Sequence, residues 1–337
     1  MYLPIDTITS GPTEVKAMWS GIHTYTILWL NEDDSELERD TDVEYGTTPE
    51  YNGTTPVKPN PEPGYTYTFS GWTPSVVDVV GDATYKATFT PTPITYTITW
   101  KNWDGKTTLD TDYVGYGATP YYDGPTPTRD QDDNYVYIWN GGWNPELETV
   151  TDNATYTATF DEYDIAGCTF VKNDGGTYTL TKYSGNATKL KITPVYDGIP
   201  VTAIGEEAFT YCSTLEEIVI PDSILVLGDT VFSGCTALTK INIPKGITQI
   251  PTFAFTSCSK LAEITIPENV ASIGVYAFMG CSSLTTVNML PTTPPAIGSF
   301  VFDAQYKDKV TFYVPKGYKS TYTTAGYNKY GTIVEAS

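Results

Sequence analysis

The sequence predicts a multidomain, β-rich α+β protein in which two small tandem modules precede a solenoid of short stacked repeats. The solenoid is indicated by four cysteines spaced 23 residues apart: Cys212, Cys235, Cys258 and Cys281. A fixed period of this length is typical of repeats that bury their apolar faces only against one another. The modules are indicated by residues 24–90, which align without a gap on residues 95–161 at an offset of 71. Abundant Tyr (27) and Pro (24) favour strands and turns over helices.

The two aligned segments share aromatic residues and glycines at equivalent positions. The identical pairs include Trp29/Trp100, Tyr45/Tyr116, Gly46/Gly117, Trp72/Trp143, Tyr85/Tyr156 and Phe89/Phe160. In the second segment we expect strands at 96–100, up to Tyr116, near 135–139 and at 155–160, with a hairpin turn at Asp104-Gly105. The Pro-rich stretch 120–127 leaves room for one helical turn at most. The pattern therefore predicts a small α+β module.

Each solenoid repeat has the same order of residue types. An Ile or Leu, a turn residue and a Phe precede the cysteine, and a Leu and an alternating apolar pair follow it. The alternation places these apolar pairs inward: Ile218/Ile220, Ile241/Ile243 and Ile264/Ile266. The alternate residues then point outward and form a candidate binding face: Glu217, Val219, Lys240, Asn242, Glu263, Thr265, Thr286, Asn288, Thr311 and Tyr313. A solvated face without a target is the alternative, since no aromatic cluster occurs on it.

The acidic residues are concentrated in the first half of the chain. Residues 1–165 contain 27 Asp and Glu against 7 Lys and Arg, whereas residues 166–337 contain 13 against 12. This balance disfavours nucleic acid, whose phosphates need a basic face. No apolar run approaches the roughly 18 residues of a membrane span, so we expect no membrane insertion. Residues 3–19 read like the end of a module and no leader follows Met1, so we expect a chain cut from a longer protein.

Two family resemblances follow from these motifs. Residues 21–162 resemble the internalin-type B-repeat, also called the Listeria–Bacteroides repeat, in the pairs Tyr116-Gly117 and Gly142-Trp143 and in the closing Tyr-x-Ala-x-Phe at 156–160. This resemblance implies a β-grasp-like fold that builds stalks in bacterial surface proteins. The 23-residue units resemble the BspA-like leucine-rich repeats of secreted and surface bacterial proteins. That resemblance implies an extracellular or cell-surface location and an adhesive or host-facing role.

The resemblances divide the chain into four segments. Residues 1–20 are the tail of a truncated preceding B-repeat, 21–91 and 92–163 are B-repeats, and 164–337 are the leucine-rich-repeat domain. We expect an N-terminal cap at about 166–203 and a C-terminal cap at about 303–337, with the last coil ending at Val314-Pro315.

The cysteine column allows three interpretations: a metal site, disulfides or free buried thiols. Ligands of a zinc ion converge on one point, whereas equivalent positions of a solenoid lie about 4.8 Å apart along an axis. Disulfides need facing Cβ atoms, whereas stacked equivalents point the same way. We therefore favour buried thiols that each fill a small slot, and we expect Cys168, outside the column, to be free as well. No metal or other cofactor is predicted.

The tryptophans divide into repeated and unique ones. Trp29/Trp100 and Trp72/Trp143 recur and are expected in the cores of the modules. Trp103 and Trp139 have Glu32 and Thr68 at the equivalent positions. Trp103 lies in a turn, where an exposed ring can stack on a sugar or equally rest on its neighbours.

The acidic runs 32–34 and 130–134 invite a comparison with calcium loops. Neither run has the glycine and terminal glutamate of the 12-residue calcium-binding loop. We therefore expect solvated loops that keep the modules soluble.

Enzymatic chemistry finds little support in the sequence. His23 is the only histidine, and no partner for a histidine-based triad is recognisable. Phosphate-binding and dinucleotide-binding glycine motifs are also missing. The sequence thus predicts a non-enzymatic, monomeric extracellular bacterial protein that binds a host or bacterial extracellular protein through the solenoid, with the modules as stalk.

Two alternatives to protein binding remain open at this point. A carbohydrate-binding module would place Trp103 or Tyr121 and Tyr122 on an exposed platform. A structural spacer of a larger surface protein would need neither surface.

Overall fold

The structure is a computed structural model that describes residues 21–336. The truncated repeat expected at 1–20 lies outside the described residues. The described chain divides into two compact units. The first comprises residues 21–100 with Asp110–Gly124 and Pro145–Tyr156, and the second comprises Lys101–Leu109, Pro125–Asn144 and residues 157–336. The domain boundaries after residues 91 and 163 stay a prediction.

Residues 24–164 form eight strands in two four-stranded sheets. The strands are β1 (Thr24–Leu30), β2 (Glu36–Glu44), β3 (Tyr65–Thr73), β4 (Ala83–Pro93), β5 (Thr95–Lys101), β6 (Thr108–Gly115), β7 (Tyr135–Asn144) and β8 (Ala154–Asp164). The sheet orders β2-β1-β4-β3 and β6-β5-β8-β7 are the same, as expected for a repeated segment. In the first sheet β1 pairs antiparallel with β2 and parallel with β4.

No helix occurs in the described part of the two modules, residues 21–163. The α+β prediction for the modules is therefore wrong, and their sheets are connected by extended loops. In the second module Pro120, Pro125 and Pro127 lack the N–H group that a helical turn requires. The prediction of a β-rich chain is confirmed, because α1 (Lys319–Thr324) is the one α-helix within residues 21–336.

The repeated tryptophans form the cores of the modules. Trp29 and Trp100 are fully buried, and each indole N–H is satisfied by a carboxylate on the neighbouring strand. Trp29 Nε1 donates to Asp40 Oδ2 at 2.8 Å, and Trp100 Nε1 donates to Asp112 Oδ2 at 2.6 Å. Trp72 packs edge-on against Trp29, with ring centroids 4.7 Å apart. The core positions expected from the repeat are thus confirmed.

The solenoid begins with a cap of five strands and continues as two series of short strands. The cap strands are β9 (Cys168–Lys172), β10 (Tyr178–Tyr183), β11 (Lys189–Lys191), β12 (Val195–Tyr196) and β13 (Ile199–Ile204). The first strand series comprises β14 (Glu217–Val219), β16 (Lys240–Ile241), β18 (Glu263–Ile266), β20 (Thr286–Met289) and β22 (Thr311–Val314), of which the first four each follow a cysteine of the column. The second strand series comprises β15 (Val226–Leu227), β17 (Gln249–Ile250), β19 (Ser272–Ile273) and β21 (Ala296–Ile297), of which the first three each precede the next cysteine.

Successive strands of each series pair in parallel except at one step of the described chain, where β16 does not pair with β18 and β15 does not pair with β17. β11 pairs with β14 and β14 with β16, so Glu217 lies beside Lys240. β18 pairs with β20 and β20 with β22, so Glu263, Thr286 and Thr311 form one row. The 23-residue period therefore sets the register of the sheet.

The solenoid core is built from columns of equivalent side chains. Phe209, Phe232, Phe255, Phe278 and Phe302 are buried, and their rings stack with successive centroids 5.2 to 5.5 Å apart. No single repeat can enclose such a ring, so each repeat depends on its neighbours for burial. Burying a large apolar side chain contributes on the order of 2 kcal/mol, which makes the stack a main source of stability.

The C-terminal cap extends the first strand series by one strand. β23 (Thr332–Glu335) pairs in parallel with β22, so a strand of the cap continues the series after Val314. The fully buried Tyr322 and Tyr327 pack against each other and donate their hydroxyls to Pro291 O at 2.6 Å and Pro295 O at 3.0 Å. These bonds satisfy carbonyls that the cap covers.

Within the second unit, the end of β8 packs on the solenoid cap. Val136, Tyr163 and Ile165 form a small core with Phe170 and Tyr196. Among residues 21–336 no helix is long and apolar enough to cross a membrane.

Candidate functional site

The first strand series displays the ten residues that the sequence singled out as a binding face. All ten lie at half-buried or exposed positions, while Ile218, Ile264, Val287 and Phe312 between them are buried. Ile241, predicted inward, is only half-buried but packs against the core. We call the ten residues the strand face. That the strand face binds a partner stays a prediction.

The charged side chains of the strand face pair with their lateral neighbours. The Glu217 carboxylate forms ion pairs with the ammonium groups of Lys240, at 2.6 Å, and Lys189, at 3.2 Å. These two ammonium groups, Lys240 first, lower the pKa of the Glu217 carboxyl. Asn288 Nδ2 donates to Glu263 Oε1 at 2.6 Å. The strand face is therefore a polar surface whose groups already satisfy one another.

Asn242 has a structural role on this face. Its amide accepts from Ile220 N at 2.8 Å and donates to Ile220 O at 2.7 Å. The side chain thus replaces the ladder bonds that a longer β16 would make with β14. Engagement in this bridge makes Asn242 a poor contact residue.

A second surface of the solenoid carries stacked, exposed aromatic rings. Phe253, Tyr276 and Phe300 each lie two residues before a core phenylalanine. Their ring centroids are 5.0 and 5.4 Å apart and the planes are within 10° of parallel. Phe253 is 38% exposed and Phe300 61% exposed. We call these three residues the aromatic ladder.

The backbone of the aromatic ladder is held in the left-handed region. The φ angles are 55° at Phe253, 58° at Tyr276 and 54° at Phe300, which is costly for a bulky residue. Glu207 and Thr230 occupy the equivalent positions in the preceding repeats with φ of 58° and 62°. The turn thus fixes the conformation, and the last three repeats place an aromatic ring there. Sequence reasoning missed the ladder, although aromatic residues two positions before the core Phe were the available signal.

The second strand series is interrupted beside the aromatic ladder's repeats. Gly205, Gly228, Gly274 and Gly298 share one position, and each N–H donates to a carbonyl of the preceding repeat at 2.8 Å. Pro251 occupies this position in the remaining repeat and has no N–H. No strand pairing joins β15 to β17 in the described chain. A depression of about 430 Å³ lies there, beside the exposed Leu225 and Val226.

The cysteine column consists of free thiols. Cys235, Cys258 and Cys281 are buried, as predicted, and each Sγ donates to the carbonyl of a core phenylalanine one repeat earlier at 3.1 or 3.2 Å. Burial raises the pKa of Cys281 to about 12. Cys212, at the start of the column, is only half-buried, and hydrogen bonding with Cys235 lowers its pKa. Cys168 is also half-buried and free, and burial raises its pKa to about 12.

In the second module the turn residue Trp103 is 48% exposed. The guanidinium carbon of Arg129 lies 4.6 Å from the centroid of its ring and 3.4 Å from that of Tyr137. These three side chains line a depression of about 310 Å³. Tyr121 is exposed, whereas Tyr122 is half-buried and packs against Trp100 at 5.2 Å. The platform expected of Tyr121 and Tyr122 together therefore does not form, because Tyr122 belongs to the core.

The acidic loops serve mainly to close turns. Asp33 accepts from the Ser35 hydroxyl at 2.6 Å, and Asp132 accepts from the backbone N–H groups of Asn134 and Tyr135 at 2.8 Å. A trio of carboxylates that sequence reasoning missed, Asp110, Asp112 and Asp123, has oxygens within 4.8 Å of one another. Acidic groups in this arrangement assign no metal by themselves.

The family comparison concerns the solenoid. The profile of the family described as "BspA type Leucine rich repeat region" matches residues 192–328 in six copies. Residues 192–328 are a BspA-type leucine-rich repeat region. The profile starts inside the N-terminal cap and ends inside the C-terminal cap, so the BspA-type region includes every repeat with a cysteine of the column. The B-repeat resemblance of residues 21–162 stays a prediction.

Solved bacterial structures show similarity to parts of the chain. A leucine-rich cell surface protein from Faecalibacterium prausnitzii is 24% identical over 50% of this chain and 38% of its own, with a TM-score of 0.36. A leucine-rich repeat protein from Bacteroides ovatus is 26% identical over 44% and 39%, with a TM-score of 0.38. One from Bacteroides capillosus is 32% identical over 36% and 94%, with a TM-score of 0.34.

This chain thus spans about two-fifths of the length of the first two proteins. No curated protein matches the chain.

Proposed function

We propose that this chain belongs to a secreted or surface-displayed bacterial protein whose BspA-type region binds an extracellular protein, with residues 21–163 as stalk. Adhesion to a host or to another bacterium is the role that such a protein serves. The proposed activity is binding without catalysis, in a monomeric chain.

The observation that carries this proposal is the aromatic ladder. Aromatic rings are the side chains that most often dominate binding energy at protein interfaces. Exposed apolar surface on a repeat protein costs solubility and marks an interaction surface when it is contiguous. Phe253, Tyr276 and Phe300 form such a contiguous strip, and a strained backbone holds them in place.

The strand face is the second candidate contact within the same function. Its ion pairs must open, or be matched by the partner, before Glu217 or Lys240 can contribute. Exposed ion pairs are worth little, so the loss is small. Val219, Thr286, Thr311 and Tyr313 make no side-chain hydrogen bond or ion pair with the described residues, whereas Thr265 accepts from Asn288 at 3.4 Å.

The test compares two double variants of the same chain against a panel of purified extracellular-matrix proteins. We expect at least one panel protein to bind, and Phe253→Ser with Phe300→Ser to weaken that binding by at least about tenfold. The charge reversals Lys240→Glu and Glu263→Lys, which act on the strand face, should weaken it by less. The reverse order would assign the contact to the strand face.

Unchanged binding by both double variants would contradict the proposal, because the contact would then lie outside the BspA-type region. Binding of no panel member would exclude matrix proteins as the partner class. Binding by the unchanged chain and by both double variants is measured by surface plasmon resonance. Circular dichroism spectra of the variants serve as folding controls.

A further inference from the structure

The turn that carries Trp103 in the second module is rigid. The Asp104 carboxylate accepts from the Thr107 hydroxyl at 2.7 Å and from the backbone N–H groups of Thr107 and Lys106, both at 2.9 Å. These bonds, the Thr107 hydroxyl first, lower the pKa of Asp104 to about 2. Gly105, with φ of 64°, closes the turn. The ring of Trp103 is therefore displayed by a fixed backbone, which reduces the entropy lost when a ligand binds.

The other side of the depression is equally ordered. Arg129 lies between the rings of Trp103 and Tyr137 and also contacts Glu162 at 3.4 Å. The Tyr137 hydroxyl donates to Asp132 Oδ2 at 3.0 Å. The guanidinium thus supports the indole, while nearly half of the indole surface stays open to solvent.

The first module shows that the fold does not need this indole. At the offset of 71, Trp103 and Arg129 correspond to Glu32 and Lys58, which form an ion pair. The Lys58 ammonium lies 5.0 Å from the ring of Tyr67. An ion pair on the surface therefore fills the position in one module. The second module has an exposed aromatic ring in place of this ion pair, although the fold does not require an aromatic ring there.

The unused polar groups around the ring define the chemistry of a ligand. The indole N–H of Trp103 donates to no atom of the described residues, and the Asp130 carboxylate accepts no hydrogen bond from them. The carboxylates of Asp104, Asp130 and Asp132 line the depression and Glu162 pairs with Arg129, so an anionic ligand is disfavoured. The volume of about 310 Å³ is at the lower end for ligand sites and suits one small ring.

We propose that the depression at Trp103, Arg129 and Asp130 binds one neutral hexopyranose unit of a glycan. The C–H face of a pyranose packs on the open indole surface. Its hydroxyls donate to the Asp130 carboxylate and accept from the Trp103 indole N–H. The site lies outside the BspA-type region and is independent of protein binding by the aromatic ladder.

The experiment follows the indole N–H signals of the ¹⁵N-labelled chain by NMR while neutral disaccharides are added. Trp103→Phe identifies the Trp103 signal. Cellobiose, lactose, maltose and mannobiose are the neutral probes, sialyllactose and digalacturonate the anionic ones, and a glucosamine dimer the cationic one. We expect the Trp103 signal to shift with at least one neutral probe and not with the anionic ones.

The matched variants are Trp103→Ala and Tyr113→Ala, since Tyr113 is a 76% exposed aromatic residue of the same module outside the depression. Because Trp103→Ala removes the indole signal, binding by both variants is followed at the backbone amide signals of residues 104–107. Trp103→Ala should weaken binding by about tenfold or more, whereas Tyr113→Ala should leave it within about twofold. The proposal is overturned if no neutral probe shifts the signal, if only a charged probe does, or if Trp103→Ala binds like the unchanged chain.

Discussion

Phe253 and Phe255 are separated by a single residue in the chain, yet their side chains lie in opposite environments. Phe255 is buried in the stack of core rings, whereas Phe253 belongs to the exposed aromatic ladder. The left-handed turn at Phe253 separates them, because it points its side chain away from the core. Residue type alone did not distinguish these two roles.

This difference predicts different costs of truncation. Phe255→Ala should lower the free energy of unfolding by about 3–5 kcal/mol, since it leaves a cavity between two rings. Phe253→Ala should change it by about 1 kcal/mol or less, because the ring is partly solvated. Calorimetry of the solenoid transition measures both, and equal losses would contradict the assignment of the ladder to the surface.

The buried thiols predict a loss of stability at alkaline pH. Burial raises the pKa of Cys281 to about 12, whereas a thiol in the unfolded chain titrates near pH 8.5. A group with a raised folded pKa contributes its full stability below the unfolded value and loses it as pH rises. Between pH 8.5 and 10 this single thiol therefore costs about 2 kcal/mol.

The measurement is the melting temperature of the solenoid between pH 7 and pH 10. We expect little change up to about pH 8.5 and a decline above it. In Cys281→Ala the decline should be smaller, whatever the melting temperature of this variant at pH 7. An equal decline would show that the thiol is not the group responsible.

At the scale of elements, Pro251 removes one of the hydrogen bonds that are missing where the second strand series is interrupted. Four repeats have glycine at this position, and their N–H groups extend the ladder at 2.8 Å. Proline removes the donor, and a depression opens between β15 and β17. Within the described residues the first series also stops at this step, between β16 and β18, so the proline accounts for the missing bond at its own position and not for the whole break.

Pro251→Gly should restore the missing hydrogen bond. The new amide at position 251 can donate to Leu227 O, as Gly228 does to Ile204 O. Hydrogen exchange of this amide should then be as slow as that of Gly228 or Gly274. The net change in stability should stay within about 1 kcal/mol, because the glycine also raises the entropy of the unfolded chain. Fast exchange at position 251 would mean that the repeats are held apart by something other than the proline.

At the scale of the whole molecule, the two halves of the chain differ in net charge. Residues 1–165 contain 27 acidic and 7 basic residues, so the negative charges of this part repel one another. Residues 166–337 contain 13 acidic and 12 basic residues, which nearly balance. Self-repulsion between exposed charges is screened by salt. Salt should therefore stabilise the two parts to different extents.

The measurement is amide hydrogen exchange of the whole chain at low and at moderate ionic strength. Raising NaCl from about 0.02 to 0.3 M should increase the protection of β2 and β6. The protection of β18 and β20 should stay nearly constant and serves as the internal control. A uniform increase over the whole chain would point to a general salt effect rather than to the acidic surface.

Much of the fold could be predicted because it repeats. The alternation and spacing of residue types predict the 23-residue period, the buried thiols and the inward Ile residues. Because the pattern recurs in several repeats, a wrong assignment in one repeat is recognised by comparison with the others. The all-β modules and β23 could not be predicted in this way. The first depends on loops whose prolines allow several extended paths, and the second belongs to a cap that no longer follows the repeat.

By itself, the sequence determined the register of the solenoid and the residues of its core, because burial of a regular apolar pattern has one solution. The tertiary structure decided which exposed side chains are available. It closed Asn242 and Glu217 into lateral bonds, aligned three aromatic rings from three repeats into one ladder, and placed Arg129 beneath Trp103. The period aligns equivalent positions of successive repeats, but the exposure of each side chain and the contacts of Arg129 depend on the turns and packing that bring distant residues together.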